Sequence, residues 1–355
     1  MNVDFAILGS TPLAAVLAGM LSKQHGRDVC WAGAFAHTLR PQRGFDMSVA
    51  PLTRPETWRL LKECTPQLVE ALDGLEVTEH VDPLFIAKHQ YGADVLSHMN
   101  NVAAGYGYAM ERQAISDDFA SAFQFRDAIR FLRRPFAETL PNWLAESGVH
   151  TIPTNNLKLQ AKKTGLIHIE GDIDEPIVAK HVVLADDDAI IRHIKPQNVS
   201  AYFHAISTIG YLVEPVGEMK SSVIHDVDTG MTIYQRNNGA LDCVAPGLSK
   251  NLEPEICGHI GGTHSARLAG KTTFDVLHTK EGAALIGELR PTKAIVIAGF
   301  GATGLFQTPA IARLLAGTAT EFETSYFTQR STNQHPEFRL SVSEFQPFCA
   351  SGLAP

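Results

Sequence analysis

The 355-residue sequence is short of the features that mark specialised chains. Its five cysteines (Cys30, Cys64, Cys243, Cys257, Cys349) include no C-x-x-C pair. That argues against a zinc knuckle or a disulfide framework and for reduced thiols, as in the cytoplasm. Positive charge is in deficit: 30 Lys and Arg against 38 Asp and Glu give a formal net charge of -8. Nucleic-acid binding draws on clustered Lys and Arg that release counterions, so this balance argues against it. No apolar run approaches the roughly 20 residues that cross a bilayer. The longest candidate, PLAAVLAGML near the N-terminus, follows Asp4 with no Lys or Arg before it, unlike a signal peptide, and reads as a buried helix face. There is no internal repeat and no low-complexity tract.

Metal-ligand spacing is missing as well. None of the 15 histidines forms H-E-x-x-H. His259 and His264, in the glycine loop GHIGGTH, read as structural or exposed. The run Asp186-Asp187-Asp188 leaves an apolar strand and reads as a solvated turn rather than a Mg²⁺ site. What remains is an ordinary globular composition, 45% hydrophobic and 19% charged, long enough for two domains and suited to small-molecule chemistry.

The first thirty residues predict a β-α-β unit: strand VDFAILG, a helix over 12–25 and strand RDVCWAG. A less regular region covers about 40–118. In ASAFQFRDAIRFLRRPFAETLPNWLAESGV apolar residues recur every three to four positions, which predicts a helix pair. Three short strands follow, ending in HVVLA. Between 200 and 290 lie the strand candidates YFHAISTIGYLVEPV, SSVIHDV, MTIYQRNNGALDCVAP and FDVLHTK, with Asn237-Asn238-Gly239 predicting a hairpin turn. The chain then returns to strand and helix in AIVIAGFGATGLFQTPAIARLLAG, and from about Thr328 reads as a polar, irregular tail.

Two glycine loops follow strands. The N-terminal one, Gly9-Ser10-Thr11-Pro12-Leu13-Ala14, is G-x-T-x-x-A in the register of G-x-G-x-x-G. Its middle position should be Gly so that backbone can touch a pyrophosphate, and an acid for ribose hydroxyls should stand near Ala32 or Gly33. Both are missing. The helix N-terminus still offers N–H groups to a phosphate, though a β-α turn that binds nothing is the alternative. The C-terminal loop has the full motif (Gly299, Gly301, Gly304) but lies late in the sequence. As a nucleotide site it would use Glu321 or Glu323, at the start of a possible strand EFETSYF, and the sequence ends before a second mononucleotide half. A helix N-terminus after such a turn has another use, since its positive end can face an electron-rich ring.

This order of features resembles FAD-dependent oxidoreductases of the D-amino-acid oxidase and glycine oxidase type, over most of the chain and least between about 55 and 118. The resemblance implies an α/β fold. A Rossmann-like FAD-binding domain would be assembled from 1–60, 120–200 and 290–325, a mixed β-sheet substrate domain would come from 61–119 and 201–289, and 326–355 would form a C-terminal tail. It implies that Gly9, Ser10, Thr11, Pro12, Leu13 and Ala14 hold the ADP part of FAD. In that family an acid, six residues and an Arg close this fingerprint; here Gly33 and Arg40 occupy those places. VVLADDDA resembles the family's central A-x-G segment, with Asp186 and Asp187 where Thr and Gly are usual. GFGATGLFQTPAIARLLAG resembles the closing motif, so that Gly299, Gly301, Ala302, Thr303, Gly304 and Leu305 would approach the flavin ring, with Met47 and Ser48 at its edge. The departures all fall on the ADP half.

Flavin amine oxidation is mostly orientation of a C–H bond, with the cofactor supplying the electronics. In Leu289-Arg290-Pro291, Arg290 matches the Arg that grips a substrate carboxylate, against a surface residue as the alternative. Tyr234 matches a Tyr facing the flavin, with Arg236 on the same side of its strand. A solvent-facing pair is the alternative. The expected activity is oxidation of a C–N bond of a small amine or modified amino acid, or of a tailoring intermediate. Rival readings are an accessory subunit with a decayed ADP site, working beside a protein partner, and an NAD(P) dehydrogenase using the C-terminal loop. Flavin hydroxylation is disfavoured because its Gly-Asp pair is not visible.

Overall fold

The computed structural model describes residues 1–34, 46–114, 118–173, 175–247, 252–259 and 267–345. Strand β1 (Asn2–Leu8), helix α1 (Pro12–Lys23) and β2 (Val29–Ala32) form the expected β-α-β unit, with β1 and β2 parallel. Helix α1 starts on Pro12, where a missing N–H costs nothing, and is capped by Thr11, whose Oγ1 accepts from Ala14 N. Helix α2 (Pro55–Ala71), β3 (Thr78–Val81), β4 (Leu84–Ala87), α3 (Gln90–Gly105) and β5 (Met110–Arg112) fill the region that has little sequence pattern.

The predicted helix pair is half strand. Residues 121–131 form β6 (Ser121–Phe125) and β7 (Ala128–Phe131), and only α4 (Arg133–Glu146) is helical. Distant pairing overrides the local periodicity: β6 pairs with β4 and β7 with β3. The turn between them holds Asp127 at φ 57 and is tied by Asp82, which accepts from Asp127 N at 2.9 Å and Arg126 Nη1 at 2.7 Å.

Then come β8 (His150–Thr151), β9 (Lys158–Ala161), β10 (Ile167–Glu170) and β11 (Ile177–Leu184), followed by α5 (Asp187–His193) and α6 (Pro196–Tyr202). The second β-rich stretch holds β12 (Phe203–Val213), β13 (Val223–Asp226), β14 (Thr232–Gln235), β15 (Leu241–Pro246), α7 (Leu252–His259) and β16 (Leu268–Thr279). The hairpin at Asn237-Asn238-Gly239 forms as expected between β14 and β15, with Gly239 at φ 81 and Arg236 N donating to Ala240 O. Strands β17 (Leu285–Leu289) and β18 (Ala294–Ala298) precede two 3-10 turns, Gly301–Thr303 and Leu305–Gln307, that run into α8 (Thr308–Ala316). EFETSYF is not a strand: it is most of α9 (Glu321–Gln329), started by a capping box of Thr320 and Glu323. The tail is more ordered than its polarity suggests. It includes α10 (Pro336–Leu340), and Glu344 accepts from Thr53 N at 2.7 Å at the start of α2.

Two sheets organise the molecule. The first has the order β17-β18-β11-β1-β2-β8, parallel except for β17, with β10 and β9 off β11. The second has the order β16-β12-β15-β14-β13-β4-β6-β5. Strand β17 thus lies in the first sheet and β6 in the second, so the sheets divide a few residues from the expected breaks at 289 and 120. One core packs α1, α2, α4 and α8 on one face of the first sheet, and a second core fills its other face. The parallel strands β18, β11 and β1 end side by side, so their carboxyl ends deliver Gly299, Asp186 and Gly9 to one edge, where open α/β sheets bind ligands.

Candidate active site

A cleft of about 320 Å³ opens at that edge. Its walls are Thr11, Pro12 and Leu13 from the start of α1, Asp186 and Asp187 after β11, residues 276–279 of β16, and Gly299, Phe300, Gly301, Ala302 and Leu305 after β18. Both glycine loops and the second sheet therefore meet in one place. Gly299 (φ 73) and Gly301 (φ 56) sit in the left-handed region and are exposed, whereas Gly304 is buried against Phe300 and Leu13. The 3-10 turns and α8 continue from Gly301, so the first N–H groups of this helical run have no intrahelical acceptor.

The edge residues expected beside a ring are brought to this loop. Met47 N donates to Ala302 O at 2.9 Å, and Met47 packs with Val223, Val244, Tyr234 and Phe274. Ser48 N donates to Ile129 O, and its Oγ accepts from Ile129 N, each at 2.9 Å. Thr303 and Leu305 are buried, with Thr303 Oγ1 donating to Phe300 O at 3.1 Å.

Tyr234 is half-buried and faces Arg130, a residue with no motif to announce it. Arg130 Nη2 donates to the Tyr234 hydroxyl at 2.5 Å, the guanidinium lies 3.6 Å from the ring centroid, and Glu79 pairs with it. Burial lowers the Arg130 pKa, opposed by Tyr234 and Glu79, and burial raises that of Tyr234. Arg236 is exposed and held bidentately by Asp242 at 2.6 and 2.7 Å, and that hydrogen bonding raises its pKa. Arg290 is not gathered with these residues. It is exposed beyond the amino end of β18, at the opposite end of that strand from the cleft. Arg40 and His264 lie outside the described residues.

Sequence reasoning also passed over the groups that do line the cleft. Asp46 and Arg133 form an ion pair in its wall, 2.9 Å apart, and His278 of β16 lines the same cleft. Burial pushes the Asp46 carboxyl up while Arg133 pulls against it. Among the described residues no group of three or more His, Cys, Asp or Glu side chains is placed to hold a metal. His259 is buried and structural, its Nε2 2.8 Å from Asp226. Glu323 is buried in an ion pair with Arg313 at 2.5 Å, which removes it as a ribose acid for the C-terminal loop.

Asp186 corrects a further expectation. It is 7% exposed, not solvated, and both carboxylate oxygens are used. Oδ1 accepts from Ala189 N at 2.8 Å, capping α5, and Oδ2 accepts from Ser10 N at 2.5 Å in the N-terminal glycine loop. Trp31 Nε1 donates to Gly9 O at 3.1 Å, closing the loop from the other side.

Comparison with solved structures gives the setting. Glycine oxidase from Geobacillus kaustophilus superposes with a TM-score of 0.71 at 14% identity, covering 94% of this chain and 99% of its own. The chain has the glycine-oxidase fold. L-proline dehydrogenase from P. horikoshii matches with a TM-score of 0.72 at 11% identity, over 92% of this chain and 96% of that one. L-α-glycerophosphate oxidase from Mycoplasma pneumoniae, in a structure with FAD bound, matches at 0.64 and 12%, over 89% and 94%. No family model matches the sequence, and no curated protein does. At these identities the likeness is one of fold, and the glycine-oxidase fold here has two unequal ends. The loop after β18 offers open backbone to a flat ring, and its residues fit a flavin. The loop after β1 fits a diphosphate poorly, because Asp186 takes Ser10 N, Thr11 takes Ala14 N and Pro12 has no N–H.

Proposed function

We propose that the chain is a flavin-dependent oxidoreductase that oxidises the C–N bond of a small amine or amino acid. The observation that carries this reading is the cleft itself: a helix start with exposed Gly299 and Gly301 forms one wall and the β16 strand another. Flavin, when bound, supplies the two-electron acceptor. The chain's part is orientation and electrostatics. The N–H groups at the start of the Gly301 helical run favour negative charge on whatever ring faces them. Asp46 and Arg133 line the cleft as an ion pair, 2.9 Å apart, so a zwitterionic amino acid would have to exchange its charges with that pair. Tyr234, Arg130 and Met47 make a rigid backing between the second sheet and the Ala302 loop. Arg236 is spoken for by Asp242 and acts on the hairpin.

The test is a visible spectrum of the protein reconstituted with flavin, then anaerobic titration with a panel of amines and amino acids. Bleaching by an amino acid supports the reading; a chain that takes up no flavin sinks it. A second reading, an accessory subunit that keeps the fold and works beside a protein partner, draws on the hydrogen bond between Ser10 and Asp186. Size-exclusion of the isolated chain separates the two, since turnover by a monomer or homodimer rules against the accessory role.

A further inference from the structure

We infer that the Asp186 carboxylate takes the place of a ligand phosphate at the start of α1, so that this chain disfavours a dinucleotide flavin relative to one without phosphates. The half of this that concerns flavin rests on the function proposed above; the half that concerns the phosphate position does not. A pyrophosphate in this class of fold uses N–H groups of the first glycine loop and the helix that follows. Here Ser10 N is bonded to Asp186 Oδ2 at 2.5 Å, Ala14 N is turned to Thr11 Oγ1 at 3.4 Å, and Pro12 has no N–H. The carboxylate also lies where phosphate oxygens need room: a Cβ built on Gly9 would stand 3.1 Å from Asp186 Oδ2.

The cavities tell the same story. Asp186 lines the 320 Å³ cleft and also a separate hollow of about 50 Å³, walled by Gly9, Ser10, Ala32, Thr154 and Arg192 among others. It is the shared wall. A dinucleotide reaching from the flavin end toward β2 has to lay its diphosphate across that wall, beside a fixed carboxylate that Asp187 and Asp188 follow in sequence. Like charges at such separations oppose binding, and the carboxylate is pinned at both oxygens, so it cannot swing aside without uncapping α5.

The experiment compares the full-length chain with Asp186→Ser, which is short, neutral and still able to cap α5, and with Asp186→Asn, which removes charge alone. Affinities for FAD and riboflavin are read from flavin fluorescence, and for ADP by calorimetry, with a thermal melt of each variant to establish folding. The wild type is expected to bind riboflavin at least as tightly as FAD. Asp186→Ser is expected to tighten both FAD and ADP by about tenfold or more and to leave riboflavin unchanged, with Asp186→Asn between. Wild-type protein that binds FAD much more tightly than riboflavin, with ADP competing, overturns the inference. So does an unchanged ADP affinity in both folded variants. If no form binds any flavin but ADP binding still rises in Asp186→Ser, the flavin reading fails and the phosphate-position assignment stands.

Discussion

The two glycine loops are built alike and end up opposite. Each leaves the carboxyl end of a parallel strand, β1 or β18, and each enters a helix; the two helices pack on one another, with Gly304 against Leu13. In the loop at Gly9, Gly9 and Ala14 are buried but Ser10 is exposed, and several of its polar groups are taken by the chain: Ser10 N by Asp186, Gly9 O by Trp31, Ala14 N by Thr11. The loop at Gly299 keeps Gly299 and Gly301 exposed on the cleft. A glycine fingerprint therefore reports only that backbone can be approached. What approaches it is decided elsewhere, and in the first loop it is a side chain 176 residues away.

The largest expected effect is at the open loop. A Cβ on Gly299 would stand 2.9 Å from Thr279 Cγ2, and its φ of 73 disfavours any branched residue. Gly299→Val should cost about 3 kcal/mol in urea unfolding and abolish flavin uptake. Uptake that survives this change would break the contrast between the loops. A control of similar size separates the loops from the rest of the fold. His225, in β13 with its Nδ1 2.7 Å from Thr232 Oγ1, is pushed down to about 4 by burial. Between pH 6.5 and about 4 the unfolded chain binds the proton first, so stability falls with falling pH, by up to about 3 kcal/mol. The pH slope of the urea midpoints across that window should lessen in His225→Gln, with the part due to His193, also pushed down to about 4 by burial, remaining, while the Gly299 variant should keep the whole slope.

The closed loop should respond less. Trp31→Phe leaves the buried Gly9 carbonyl without its indole donor, and a loss of about 1–2 kcal/mol in thermal unfolding is expected. If nothing is lost, the indole does not close the loop. The smallest effect belongs to Gly301→Ala: the position has φ 56 but nothing within 4 Å of the added methyl. About 1 kcal/mol of stability should go, with flavin uptake retained. Loss of uptake there would mean that the backbone at 301 must move when the cleft fills.

Much of the frame was readable because it is local. β1, α1, β2, β11 and the β14 to β15 hairpin follow from short-range period and turn chemistry. The helix α9 was readable too and was passed over, since Thr320 and Glu323 spell a capping box. Strands β6 and β7 were not readable: their apolar spacing suits a helix, and pairing with β4 and β3, 34 to 53 residues away, together with β5 makes them strands. The site shows the same division. Gly299, Gly301 and Ala302, picked out by a local glycine motif, line the cleft, and Met47 N donates to Ala302 O. Arg130 and Asp186 matter through contacts that span 104 and 176 residues, and no local pattern encodes these. Arg290 matched a local tripeptide and nothing else brought it to the cleft.

The position of β18 has a consequence for biosynthesis. It pairs beside β11 in the middle of the first sheet, and the loop that follows it forms a wall of the cleft. A ribosome delivers β1, β2, β10 and β11 long before residues 294–305, so until β18 appears Val183 and Leu184 of β11 lack their partners and the cleft lacks one side. Ligand cannot assist folding until that last wall has left the exit tunnel. The cleft is therefore complete only late in synthesis, and a chaperone that shields the open end of β11 would act before that.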